Sequence, residues 1–194
     1  MPSTPVPAPT PFSLGYRMPA EWEPHEATWL AWPHDRETWP KELAELEATY
    51  VEIVEFLHSS EKVHILVQDE EAGRFVFQKL SERGITGNIF VHQVKTDSPW
   101  IRDYGPIFII PPHPSLSPLH QRIRLTDESA SGGKGERMKV RGLRGKLAVT
   151  NWIFNAWGSK YEEHQLDNQA AKRIIDWLKI MTFEPSIVLE GGSI

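Results

Sequence analysis

With 194 residues and 40% apolar content the chain is long enough for one ordinary domain with a core, and nothing in its composition suggests disorder throughout. Zero cysteines exclude disulfides, thiolate metal sites and any thiol nucleophile within these residues. A net charge of −5 speaks against nucleic acid as a partner, and no apolar run approaches the roughly 20 residues of a membrane-spanning helix.

The start of the chain has neither a basic region nor a hydrophobic one of the kind that secretion signals carry, so the expectation is a soluble, cytoplasmic protein. The charge is unevenly placed. Residues 111–147 hold eight Lys and Arg against three Asp and Glu, a local +5, which leaves −10 on the rest. An acidic body raises the local concentration of cations and so favours a cationic ligand, although such a balance also serves solubility alone.

Residues 1–19 are proline-rich and aperiodic, which predicts a flexible tail or an arm lying on the surface. Residues 28–33, TWLAWP, form a short β-favouring run closed by Pro33. Thr38 then stands where an N-cap would, and Leu43, Leu46, Tyr50, Ile53, Val54 and Leu57 make a helical stripe. The continuous apolar run VHILVQ, 63–68, reads as a strand, and Asp69 can cap a helix whose inner face includes Phe75, Val76 and Leu80 before Gly84 ends it.

A third strand is expected at 88–94, then a turn-rich segment at 96–106 and a strand at 107–110. Residues 111–147 contain PPHPSLSP and SASGGKGE, have few apolar anchors and read as a loop insertion. A strand at 147–154, a polar turn at 155–164, a helix from about Asp167 through Ile174, Ile175 and Leu178, and a buried strand at 186–190 complete the order. Strands and helices in alternation point to an α/β domain over 20–194.

Eight histidines raise the question of a metal, but none stands in an HxH or HExxH spacing, so no metal is expected. The glycines and lysine of GLRGK, 142–146, lack the spacing and strand-to-helix context of a phosphate loop.

WIRDYGP, 100–106, is more informative. It sets Trp100, Arg102 and Asp103 on a loop between two strands, where functional residues concentrate. A guanidinium is flat and permanently charged, so a carboxylate accepting its N–H groups as a fork and an aromatic face over its plane hold it well. Asp103 and Trp100 have those chemistries; the alternative is an Arg102–Asp103 surface pair beside a core tryptophan. In NAWGSKYE, 155–162, Gly158 can take positive φ while Trp157 and Tyr161 cover a pocket. In LEGGS, 189–193, Glu190 ends a strand before two glycines that permit close backbone approach, either as a ligand-facing carboxylate or as a solvated strand end.

Four blocks carry a resemblance. MPAEWEPHEATWLAWPHDRETW at 18–39, DSPWIRDYGPIF at 97–108, FNAWGSKYE at 154–162 and LEGGSI at 189–194 resemble, in order, the signature blocks of agmatine deiminases and bacterial-type peptidyl-arginine deiminases. The resemblance implies a pentein, an α/β propeller of repeated ββαβ units with pseudo-fivefold symmetry, of which this chain would be a part. It implies hydrolysis of a guanidine without metal or cofactor: a cysteine thiolate attacks the guanidine carbon, ammonia leaves and water releases the ureido product.

Matched position by position, Asp103 takes the place of the family's first guanidinium-binding aspartate, Trp100 that of the channel tryptophan, and Glu190 that of the glutamate contacting substrate or the catalytic histidine. Asp97, Asn155 and Trp157 match with supporting roles. In the family the catalytic histidine's block and the nucleophilic cysteine lie downstream of L-E-G-G, and neither of these two is among these residues. The 111–147 stretch is longer than the family pattern, and Ser159 stands where a second glycine is common.

The expected function is therefore an agmatine deiminase leading toward putrescine, acting on a small cationic guanidine with no nucleic acid or membrane partner and possible homo-oligomerisation. Peptidyl arginine as substrate, and an inactive partial chain that at most binds cations, are the alternatives.

Overall fold

The structure, a computed structural model, describes residues 8–111 and 147–194. The insertion expected at 111–147 thus lies, but for its two end residues, outside the described residues.

Three parallel strands form the first sheet in the order β1 (Ala27–Ala31), β2 (Lys62–Val67), β3 (Ile89–Gln93), with Thr28 opposite Val63 and Val63 opposite Ile89. Two helices supply the crossovers, α1 (Leu43–Leu57) and α2 (Glu70–Glu82). A strand buried on both faces needs a continuous apolar run, and the central strand has one. Val63, Ile65 and Val67 face a core with Val51 and Val54 of α1 and Val76 and Leu80 of α2. Leu66 and Ala31 face the opposite side, toward a second core with Tyr104, Phe154, Ala170 and Ile174.

The helix boundaries have local causes. Asp69 caps α2 as expected, its carboxylate accepting from the Ala72 amide at 2.9 Å, and Gly84 (φ 75°) follows the end of the helix. The buried face of α2 is Gly73, Val76 and Leu80, whereas Phe75, expected inside, is 36% exposed. Gly73 takes the inner position because a Cβ there would already touch Val91 at 3.5 Å, leaving little depth for a larger group.

Thr38 is not the N-cap of α1. The helix starts five residues later, at Leu43, with Glu42 at its N-cap and no side-chain cap. Thr38 is instead engaged by Asp35, which also accepts from the Glu37 amide at 2.8 Å, and Pro40 pushes Trp39 out of the helical region.

The second sheet is β4 (Ile107–Ile109), β5 (Ala148–Thr150) and β6 (Met181–Phe183), with β4–β5 antiparallel and β5–β6 parallel. The strand expected at 147–154 is thus only three residues long. β6 was not expected at all. It follows α4 (Gln165–Leu178) through Lys179, a non-glycine residue at φ 52°, so the usual glycine signal for a helix end is missing.

The buried strand expected at 186–190 is also corrected. Ser186 turns the chain at φ 57°, Ile187 and Val188 are 58% and 46% exposed, and only a single parallel bridge joins Ile153 to Val188.

The proline-rich lead ends as an arm. Arg17 pairs antiparallel with Ile110, and Tyr16 packs edge-on to Phe183 at 5.9 Å in a small core with Ile109 and Ala148. Among the described residues no helix is long and apolar enough to cross a membrane.

Candidate functional site

The segment following β3 folds into a single helical turn, α3 (Ile101–Tyr104), rather than an open loop. Trp100 sits at its N-cap and Asp103 lies three residues on, with the Asp103 amide donating to the Trp100 carbonyl at 2.9 Å. Three residues is nearly one helical turn, so both side chains leave from one side of the peptide.

Asp97 and Asp167 anchor this turn to α4 reciprocally. The Asp97 carboxylate accepts from the amides of Leu166 (2.8 Å) and Asp167 (3.4 Å), satisfying donors at the start of α4, whose N-cap residue His164 offers no side-chain cap. The Asp167 carboxylate accepts in return from the Asp97 amide (2.8 Å), the Ser98 amide (3.2 Å) and the Ser98 hydroxyl (2.8 Å). Burial pushes the Asp167 carboxyl up to about 6 against the opposing pull of those donors. Tyr104 completes the anchor, its hydroxyl donating to the Ser98 carbonyl at 2.8 Å, and burial holds its proton far above the usual phenol range. Asp97 is therefore a structural clamp on α3. Asp167, which the sequence offered only as a helix start, is its partner.

The LEGGS segment docks directly on α3. Gly192 donates its amide to Asp103 Oδ1 at 2.9 Å, and Gly191 lies so close that a Cβ there would stand 2.1 Å from the Arg102 carbonyl oxygen. Two glycines are what this approach demands. The contact brings the Asp103 and Glu190 segments together, with both side chains half-buried. Among the described residues neither Asp103 Oδ2 nor the Glu190 carboxylate has a hydrogen-bond or ion-pair partner.

Asp103 is not engaged by its neighbour. Arg102 pairs with Glu21 and reaches the Ile194 carbonyl at 3.2 Å, which argues against an Arg102–Asp103 surface pair. With Oδ1 already holding an amide, Oδ2 is the oxygen left for a ligand. Trp100 is 50% exposed and meets Trp39 edge-to-face at 6.1 Å between ring centroids.

The NAWGS turn is built in a costly way. Ala156, Trp157, Gly158 and Ser159 all have positive φ (51°, 55°, 77° and 63°), a left-handed turn closed by Ser159 and Lys160 amides donating to the carbonyls of Asn155 and Ala156. Each L-residue there costs roughly 1–2 kcal/mol. Asn155 offsets part of this, its side chain accepting from the Gly158 amide at 2.9 Å, and Asn168 of α4 clamps both backbone groups of Phe154. Phe154 contacts Tyr104 (5.9 Å) and Trp157 (5.2 Å), so α3 and the turn share one aromatic wall. Ser159 occupies a position, at φ 63°, where glycine would be unstrained.

A separate groove of about 250 Å³ lies between α1 and α2, lined by Ala44, Glu47, Ala48, Val51, Lys79, Glu82 and Arg83, and shares no residue with this site. It carries two cations, Lys79 and Arg83, beside its two carboxylates, Glu47 and Glu82, so it makes a poorer site for a cation than α3.

The comparisons with known proteins converge on one family. The family described as Porphyromonas-type peptidyl-arginine deiminase matches residues 17–194. The agmatine deiminase of Pseudomonas aeruginosa (strain LESB58) is 32% identical over 193 residues, covering 97% of this chain and 43% of that protein. That of Medicago truncatula is 26% identical over 95% of this chain and 43% of its own length. The chain spans less than half the length of the curated relatives it matches.

Among solved structures, agmatine deiminase of Enterococcus faecalis superposes with a TM-score of 0.70 at 21% identity, over 98% of this chain and 44% of that one. A substrate-bound agmatine deiminase of C. jejuni gives 0.64 at 23% identity, over 92% and 42%. These likenesses show the fold. Four signature blocks, a family match over almost the whole chain and a shared fold have one reading: the chain belongs to the Porphyromonas-type peptidyl-arginine deiminase family, whose curated relatives here are agmatine deiminases.

Proposed function

We propose that these residues form the guanidinium-binding part of a guanidine iminohydrolase that converts agmatine to N-carbamoylputrescine and ammonia, on the way to putrescine, within a cytoplasmic pentein propeller. One observation carries the reading. The Asp103 carboxylate is fixed by the Gly192 amide where the two blocks meet, leaving Oδ2 without a partner among the described residues and Glu190 two positions away in the docked segment. A fixed anionic oxygen, a second unpaired carboxylate carried on the segment docked against it and a half-exposed indole at the start of the same helical turn are the chemistries that suit a planar cation.

In this reading Asp103 and Glu190 hold the guanidinium, and by localising its charge on the N–H groups they leave its carbon more electrophilic. Trp100 covers its plane. Asp97, Asn155 and Trp157 keep the two walls in place. These 194 residues hold no cysteine and so supply no attacking thiolate, and the family resemblance implies that the histidine moving the protons belongs to a block they do not contain.

Agmatine is preferred to peptidyl arginine because the curated relatives are named agmatine deiminases. Competition calorimetry with agmatine and N-acetylarginine amide tests this. Agmatine should bind at least tenfold more tightly; an equal or reversed preference would move the assignment to peptidyl arginine.

A further inference from the structure

The geometry points to Trp39 as a second specificity residue, one that holds the aliphatic tail of the ligand while Asp103 and Trp100 hold its guanidinium. This rests on the function proposed above and adds a position to it. Trp39 is half-buried in a stretch whose neighbours Arg36, Glu37, Thr38, Pro40 and Lys41 are all exposed, and its aromatic contact is Trp100, edge-to-face at 6.1 Å and 60°.

The turn that carries it is tightly made. Asp35 Oδ1 accepts from the Glu37 amide at 2.8 Å, the Asp35 carbonyl accepts from the Trp39 amide at 3.2 Å, and hydrogen bonds from Thr38 and Glu37 outweigh burial to hold the Asp35 carboxyl below its usual range. Pro40 then fixes the exit. These constraints hold an indole beside Trp100 without embedding it in either large core, of which Trp39 is not a member.

The place in the fold agrees. Trp39 follows β1 and Trp100 follows β3, beyond the carboxyl ends of parallel strands, where open α/β sheets take their ligands. Two indoles meeting at an angle leave a wedge with one wall from each. A flat cation over Trp100 would extend a methylene chain along that wedge, where the edge and face of Trp39 offer apolar contact but no charge. The class of ligand favoured is thus an alkylguanidine over guanidinium itself.

The test uses the 194-residue chain as it stands. The indole Nε1–H resonances are followed by ¹H–¹⁵N NMR during titration with agmatine and, separately, with guanidinium, after Trp39→Phe and Trp100→Phe have identified the two signals. Agmatine should move both resonances, guanidinium only that of Trp100, and Trp39→Ala should weaken agmatine about three- to tenfold while leaving guanidinium affinity unchanged. If agmatine moves Trp100 and not Trp39, the tail assignment is wrong while the site on α3 stands. If guanidinium moves Trp39 as strongly as agmatine does, Trp39 belongs to the head group and the inference fails. If neither ligand moves either indole, both the inference and the function on which it rests are overturned.

Discussion

Replacing Gly192 by alanine adds one methyl group at the contact that holds Asp103. The Cβ would stand 2.4 Å from Asp103 Oδ1, far inside van der Waals distance, so the carboxylate must rotate or the segment must lift away. Gly192 is not among the positive-φ residues, so the cost is steric and not conformational. What is lost is an N–H···O⁻ bond of 2.9 Å, and bonds to charged groups contribute about 1.5–3 kcal/mol. Gly192 is exposed, so water can replace part of it and the lower end applies. A loss of about 1.4 kcal/mol corresponds to a tenfold rise in Kd. Isothermal titration of agmatine onto Gly192→Ala should therefore give about a tenfold weaker affinity, with little change in melting temperature. Gly191→Ala, whose clash is with the Arg102 backbone at 2.1 Å, should also lower the melting temperature. If Gly192→Ala binds agmatine as tightly as the parent chain, the amide does not position Asp103 and the reasoning from glycine to carboxylate is refuted.

Other outcomes follow from the same geometry. Ser159→Gly should stabilise the chain by up to about 1 kcal/mol, read by chemical denaturation, because Ser159 sits at φ 63°, where a side chain is strained; a destabilised variant would mean the hydroxyl outweighs the strain. His64 stacks on Trp29 at 4.3 Å and meets His92 Nε2 at 2.8 Å, and burial together with the His92 charge lowers its pKa from 6.5 to about 4. A depressed folded value means the unfolded chain binds the proton more readily, so this contribution is present above pH 6.5 and is lost as pH falls through about 4. Thermal melts across that window should show less acid sensitivity in His64→Phe, which keeps the stack and removes the titration; an unchanged slope would place the sensitivity elsewhere. The 194-residue chain should release no ammonia from agmatine above a protein-free control, since it has no thiolate; measurable turnover would contradict a thiolate mechanism.

The parts of the fold legible in the sequence were those with a strong period or a cap. The run 63–68 and the stripe from Leu43 to Leu57 are β2 and α1, and Asp69 does cap α2. The failures have local causes. Thr38 has a capping side chain, but Asp35 competes for it, and no pattern of apolar spacing reports that competition. β6 is three residues long and preceded by a left-handed lysine, so neither length nor glycine marks it. The apolar run at 186–190 looked buried, yet the turn at Ser186 leaves Ile187 and Val188 largely in solvent.

Of the site, the residue types were readable from Trp100, Asp103 and Glu190, because carboxylate and indole in short turn-rich blocks match a guanidinium. Their meeting was not. Asp103 and Gly192 are separated by 89 positions, and only the folded chain shows one amide joining them. The clamp between Asp97 and Asp167 was hidden likewise, since a buried aspartate in the first turn of a helix reads from sequence as an ordinary helix start.

The central claim is that Asp103 binds a guanidinium through charge, and one comparison addresses it most directly: calorimetric titration of agmatine onto the parent chain and onto Asp103→Asn. The substitution keeps the shape and the acceptor for the Gly192 amide while removing the negative charge. A half-buried carboxylate of this kind should contribute about 2–3 kcal/mol, so the account predicts a thirtyfold to more than hundredfold loss of affinity. Equal binding of agmatine by the two proteins would contradict it.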